Sequence, residues 1–175
     1  MAQDKYCVYY EGKATEVKDF AKLVSHPLKA SRGIFYTEGS NIYTSDLKRM
    51  PEGTDMSSLR RVNDYRDWYV DKNRVYYENK VIPKVDPRKI EIFPVHYLSE
   101  NYASNNNKNS YYSHDGTHVY YRDSLMNGVD IATFKCGYDY EDSISFAFDK
   151  NKYYKGHPTP LTEKLKAGSL QVDSY

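Results

Sequence analysis

The chain has 175 residues, a length that favours one domain with a real core and leaves little room for a second. Its 25 Lys+Arg nearly cancel 24 Asp+Glu, which excludes both a global basic field for nucleic acid and an acidic excess that would mimic it. With 20 tyrosines in a 39% hydrophobic composition, phenol rings must supply much of the apolar area that Leu and Ile usually provide, and aromatic rings suit a pleated strand surface.

The first notable stretch in chain order is the tyrosine-rich phrase "DKYCVYYEGK", residues 4 to 13. No basic stretch followed by an apolar one opens the sequence, and nowhere do eighteen apolar residues run together, so the expectation is a cytoplasmic protein without a membrane span. The opening phrase returns at residues 71 to 80 as "DKNRVYYENK", with seven of ten letters shared. Looser copies begin at Glu38 ("EGSNIYT"), Asp115 ("DGTHVYY") and Asp149 ("DKNKYY"). The five origins are spaced by 34, 33, 44 and 34 residues, and the long interval contains the polar insert "NYASNNNKNS", residues 101 to 110, whose removal restores the period.

Each copy reads as a hairpin. In "DWYVDKNRVYY" two strand-forming runs flank a polar tip, where the aspartate accepts backbone N–H groups two residues on and Asn73 tolerates a left-handed conformation. Gly39 and Gly116 supply permissive backbone at two of the other tips. A second offset repeats as well: Asp19, Asp86 and Asp130 lie fifteen residues after their origins, and Asp55 lies two later in the Glu38 copy. Leu23, Leu59, Ile90 and Phe134 each follow four positions on, and Pro87 follows Asp86, a pattern that predicts N-caps opening one or two helical turns. The expected fold is therefore mainly β: a single domain over residues 1–175, with antiparallel hairpin repeats forming one or two curved sheets and short helices between them. A unit of this size cannot bury its own face, so neighbouring repeats must stack to make a core.

On these residues the chain resembles the DKNYY family. Asp71, Lys72, Asn73, Tyr76 and Tyr77, and Asp149, Lys150, Asn151, Tyr153 and Tyr154, match its phrase residue by residue, and the likeness runs from about residue 33 to 156. The Glu38 copy departs at nearly every polar position, and Tyr6 and Cys7 replace Asn and Arg in the first. The resemblance implies a repeat architecture and a bacterial source. It brings no established activity with it.

The residues that carry chemistry in other proteins are weighed against structural roles. The D-x-N tips resemble the start of a calcium loop, yet the glycine and glutamate that complete one are missing, so turn chemistry accounts for them and no metal is expected. His114 and His118 flank the tip "HDGTH" without a recognisable third ligand. Cys7 and Cys136 lack C-x-x-C spacing or a partner base; a buried inert thiol is the expectation for each, with a long-range bridge left open. No G-x-S-x-G, P-loop, G-x-G-x-x-G or H-E-x-x-H motif occurs, so the chain is read as non-enzymatic and without a cofactor.

Two stretches remain that the repeat does not use: the insert around Tyr102, and "CGYDYEDS", in which Tyr138 and Tyr140 alternate with Asp139, Glu141 and Asp142. Tyrosines supply rigid anchors and carboxylates steer a basic partner, the chemistry of a protein-binding face. The expectation is an immunity protein, monomeric in a 1:1 complex, that covers the basic active site of a cognate toxin such as a nuclease, with no direct contact to nucleic acid or membrane. The alternative is an envelope or surface repeat module that binds glycans or other proteins.

Overall fold

A computed structural model describes residues 2–4, 7–27, 34–62, 67–98 and 110–169. The chain gathers into two compact units, Met1–Arg88 and Lys89–Tyr175. The fold is mainly β, in several small sheets, and among the described residues none closes into a barrel.

In the first unit the strands are β1 (Ala2–Gln3), β2 (Val8–Tyr10), β3 (Lys13–Ala14), β4 (Val24–Pro27), β5 (Ile34–Glu38), β6 (Asn41–Tyr43), β7 (Arg60–Arg61), β8 (Trp68–Val70), β9 (Val75–Tyr77) and β10 (Lys80–Ile82). They form three sheets in the orders β1-β2-β3, β4-β5-β6 and β10-β9-β8-β7. The second unit holds β11 (Glu91–Ile92), β12 (Val95–Leu98), β13 (Tyr112–His114), β14 (Val119–Tyr121), β15 (Ser124–Met126), β16 (Lys135–Asp139), β17 (Ile144–Phe148), β18 (Tyr153–Lys155) and the helix α1 (Pro160–Lys166). Its sheets run β11-β13-β14-β15 and β12-β16-β17-β18.

The expected hairpins are the pairs β1/β2, β5/β6, β8/β9, β13/β14 and β17/β18, each folded about one of the five repeat origins. Three repeats add a third strand that the hairpin reading lacks. β3, β10 and β15 return through two-residue turns whose first residue, Glu11, Glu78 or Arg122, has φ of 48°, 53° or 55°. A left-handed conformation at a residue with a Cβ is uncommon, which is why these turns were hard to anticipate.

All four predicted capping aspartates lie at the head of a short turn. Asp19 and Asp130 cap the 3₁₀ turns Phe20–Lys22 and Ile131–Thr133, accepting the N–H of Ala21 and of Thr133 respectively. Asp55 and Asp86 accept the N–H groups of Ser57 and Arg88. The strand after each turn pairs with the first strand of the next hairpin: β4 with β5, β7 with β8, β11 with β13 and β16 with β17. Consecutive repeats thus share a sheet.

They also share cores. Val8 and Val17 pack with Tyr43 and Leu47 of the following repeat, and Phe35 and Ile42 pack with Tyr69 and Tyr76 of the one after. In the second unit Tyr112 and Val119 meet Phe134, Cys136 and Ala147, while α1 lays Leu161 and Leu165 over Leu98, Phe146 and Phe148. Both cysteines are free thiols.

One interaction recurs at every tip. The acid at each repeat origin accepts the hydroxyl of the tyrosine five residues on: Tyr9 to Asp4 at 3.1 Å, Tyr43 to Glu38 at 3.3 Å, Tyr76 to Asp71 at 2.6 Å, Tyr120 to Asp115 at 3.0 Å and Tyr154 to Asp149 at 2.7 Å. The other oxygen of Asp71 takes the N–H groups of Asn73 and Arg74, both at 2.7 Å, and Asp149 does the same with Asn151 and Lys152. At each junction within a unit, the tip acid also takes the N–H of the preceding capping aspartate: Asp19 to Glu38, Asp55 to Asp71 and Asp130 to Asp149. Asp71 is 3% exposed and Asp149 is fully buried, so these donors replace the water that each carboxylate has lost.

Removing one donor from a buried carboxylate costs far more than removing one from an exposed pair. Tyr76→Phe should therefore lower stability by about 1.5–3 kcal/mol, and Tyr9→Phe, whose bond to Asp4 is exposed, by clearly less, as read from urea unfolding. Equal losses would show that burial of the acid is unimportant.

A pH dependence follows from the same bonds. Burial by itself would raise the carboxyls of Asp115 and Asp149, but the backbone N–H groups and tyrosine hydroxyls around them outweigh it and hold both at about 2. An unfolded aspartate sits near ~3.9, so the native state binds fewer protons between these values. The stabilisation is present above about pH 4 and is lost as pH falls towards 2. In an acid titration followed by far-UV circular dichroism, Asp149→Asn should be less stable than the parent at neutral pH and show a shallower loss over that window.

Candidate protein-binding surface

The repeated phrase is engaged in its own architecture. Besides the aspartate and tyrosine, the lysine is directed backwards. The N–H groups of Lys72 and Lys150 donate to the hydroxyls of Ser58 and Thr133, and their ammonium groups lie 3.1 and 2.5 Å from the carboxylates of Asp55 and Asp130. Glu38 explains how a divergent copy still works. Its tip is the two-residue turn Gly39–Ser40, with Gly39 at φ 60°, and its longer side chain reaches back to the N–H groups of Lys18 and Asp19. In the first copy Cys7 takes the place of Arg74 and keeps its backbone contact, its N–H donating to Asp4 at 2.8 Å.

The histidines of the fourth tip likewise contact acids or backbone close by, His118 from an exposed position. His118 Nδ1 lies 3.2 Å from Asp115, and His114 Nδ1 accepts the N–H of Gly116 while its Nε2 is 3.7 Å from Glu91. Among the described residues, no three His, Cys, Asp or Glu side chains gather as a metal site. Cys136 is buried beside Ser110 and the carbonyl of Pro94, and burial pushes its thiol up to about 12, far from the range of a nucleophile.

One group of aromatic and acidic side chains that the repeats do not use stands at one end of β12 and β16. These strands pair in parallel, Tyr97 opposite Tyr138 and Leu98 opposite Asp139, the one parallel pairing among the described strands. The Tyr140 N–H continues the ladder to the Leu98 carbonyl at 3.0 Å. The Tyr140 ring, 40% exposed, then stacks on Tyr97 at 5.9 Å and meets Tyr138 edge-on at 4.9 Å. The exposed Glu141 and Asp142 follow in the turn to β17, closed by Ser143 at φ 56°.

Asp139 does not belong to this face. It is fully buried, and its carboxylate accepts the hydroxyl of Thr159 at 2.5 Å and the N–H of Glu141 at 3.2 Å. The alternation of polar and aromatic residues had placed it with its exposed neighbours, but a strand turns every second side chain inward, and here that side chain meets the N-cap of α1. Thr159 caps the helix with Thr162 in a reciprocal capping box, with Pro160 at its first turn. Asp139 therefore positions the turn that carries Tyr140, Glu141 and Asp142. Tyr102 and residues 101–109 of the insert lie outside the described residues.

Tyr97 was not anticipated from sequence, because nothing in "PVHYLSE" belongs to the repeat. The signal that bears on it is Gly137, an isolated glycine within a strand pattern, which marks a close backbone approach. A Cβ there would lie 1.8 Å from the His96 carbonyl oxygen. A second cluster, also outside the sequence reading, joins Tyr111 and Tyr121 under Arg122, whose guanidinium carbon is 4.9 and 5.3 Å from the two rings. It lies at the β14/β15 turn, where Arg122 donates its N–H to the Tyr111 carbonyl.

The model of the DKNYY family matches residues 35–157, which include four of the repeat origins and both tyrosine clusters. No curated protein and no solved structure matches the chain.

Because the face depends on β12 lying against Gly137, Gly137→Ala should separate the strands and withdraw Tyr97 from Tyr138 and Tyr140. The expected loss is about 3 kcal/mol in chemical denaturation, with a change in the near-ultraviolet tyrosine signal. Gly168→Ala is the control: its φ is 74° but the space around it is open, so only the left-handed penalty of about 1–2 kcal/mol applies. A Gly137→Ala protein as stable as the parent would disprove the close approach.

Proposed function

The chain belongs to the DKNYY family, and from the surface residues that its repeats leave over we propose that it is a non-enzymatic bacterial protein whose task is to bind another protein, as an immunity protein that neutralises a cognate toxin. The observation that carries this reading is the pinned turn after β16. Three clustered tyrosines stand beside the exposed carboxylates of Glu141 and Asp142, while the acid between them is buried and holds the turn in place.

The physical logic is that of an interface centre. Tyrosine rings give large contact area for little loss of side-chain entropy, and a turn already fixed by Asp139 and Thr159 does not have to be ordered on binding. The acids favour a partner whose surface is basic, as the active site of an enzyme that cuts nucleic acid is, and they act chiefly on the rate of encounter. A stable complex covers about 800 Å² on each side, so the toxin must extend well beyond these residues. The reading places the protein in the cytoplasm of the cell that it protects, as one copy per toxin. No helix among the described residues is long and apolar enough to cross a membrane. The exposed ring of Tyr111, 39% accessible, favours the alternative of a surface module that stacks on glycans.

Co-expression tests the reading. In the native genome, a large secreted protein with a toxic C-terminal domain should be encoded beside this chain. Expressing that domain should arrest growth, and this chain should restore it and co-purify in a 1:1 complex. Replacing Glu141 and Asp142 together by lysine should weaken the complex at least tenfold, mainly through slower association. Arrest that the intact chain does not relieve would refute the immunity reading.

A further inference from the structure

Resting on that reading, we propose that the Tyr97–Tyr138–Tyr140 cluster is the receptor for an arginine side chain of the partner, with Glu141 and Asp142 engaging its guanidinium. The faces of tyrosine rings carry negative potential and attract cations. Here one ring is stacked at an interplanar angle of 29° and another stands edge-on at 74°, so the exposed Tyr140 is braced from two sides and presents itself to solvent as a fixed surface.

Arginine fits this arrangement better than lysine for a geometric reason. A guanidinium is flat, so it can lie on a phenol face and still point a fork of N–H donors outward at a carboxylate, whereas an ammonium is a point charge that satisfies one demand at a time. The exposed acids immediately follow the ring in the chain, within the same turn. The protein already uses this contact internally: Arg122 sits over Tyr111 and Tyr121, and Lys152 and Lys166 lie 4.7 and 4.8 Å from the rings of Tyr154 and Tyr153. Charge complementarity thus defines the occupant as a protruding arginine on a basic protein surface.

The test uses the full chain and three capped tripeptides, acetyl-Gly-Arg-Gly-amide and its lysine and citrulline counterparts, titrated while ring and amide signals are followed by nuclear magnetic resonance. The arginine peptide should give saturating shifts on Tyr97, Tyr138, Tyr140 and the amides of residues 139–143. It should bind about two- to fivefold more tightly than the lysine peptide. The neutral citrulline peptide should not saturate. Tyr140→Ala, and separately the pair Glu141→Gln with Asp142→Asn, should each weaken arginine about two- to fivefold, while Tyr111→Ala should leave it unchanged. Equal binding of citrulline, or shifts that fall elsewhere or are absent, would overturn the proposal. Growth rescue reads the immunity role separately: rescue without arginine-peptide binding removes the arginine receptor and leaves the immunity reading standing.

Discussion

The hydrogen bond from a tyrosine hydroxyl to the acid five residues before it is the constraint on which the architecture turns. A carboxylate at a hairpin tip can remain in water at no cost. Taken into the protein, it needs a donor for nearly every lone pair, and a phenol placed one strand along supplies one that the backbone cannot. The remaining donors come from the tip itself and, within each unit, from the capping turn of the repeat before. One carboxylate therefore ties a tip, a strand and the preceding repeat into a single network. This is the physical content of the repeated phrase, and it explains why the phrase tells so little about activity: its side chains are occupied by folding.

The same network explains which substitutions the copies tolerate. Cys7 can stand where another copy has Arg74 because the tip acid takes only the backbone N–H of that residue. Glu38 can replace an aspartate because a shorter tip is matched by a longer side chain. The tyrosine at the fifth position is present in all five copies, since a hydroxyl at that reach has no backbone substitute. With folding assigned to these positions, candidate function falls to what the repeat leaves over. That remainder is not spread evenly: the face at the ends of β12 and β16 exists because a glycine lets a strand from outside the repeat lie in parallel against the last sheet. The repeated network and the candidate site draw on different residues, the arrangement of a site grafted onto a repeated scaffold.

Repeat period, tip positions, capping aspartates and the mainly β character were all readable from the letters, because each is encoded within a few residues by turn chemistry and strand propensity. Local spacing tied the acid at each origin to its tip and the aspartate fifteen residues on to its turn. Tertiary context decided the rest. Asp139 resembles its exposed neighbours in sequence, and only the arrival of Thr159 and α1 shows that it is buried. Tyr97 lies far from Tyr138 and Tyr140 in the chain, and only the parallel pairing of β12 with β16 unites them. Hydrogen bonds between neighbours in sequence leave a local signature, whereas the choice of which distant backbone may approach a strand depends on packing across the whole unit, and no short stretch of residues records it.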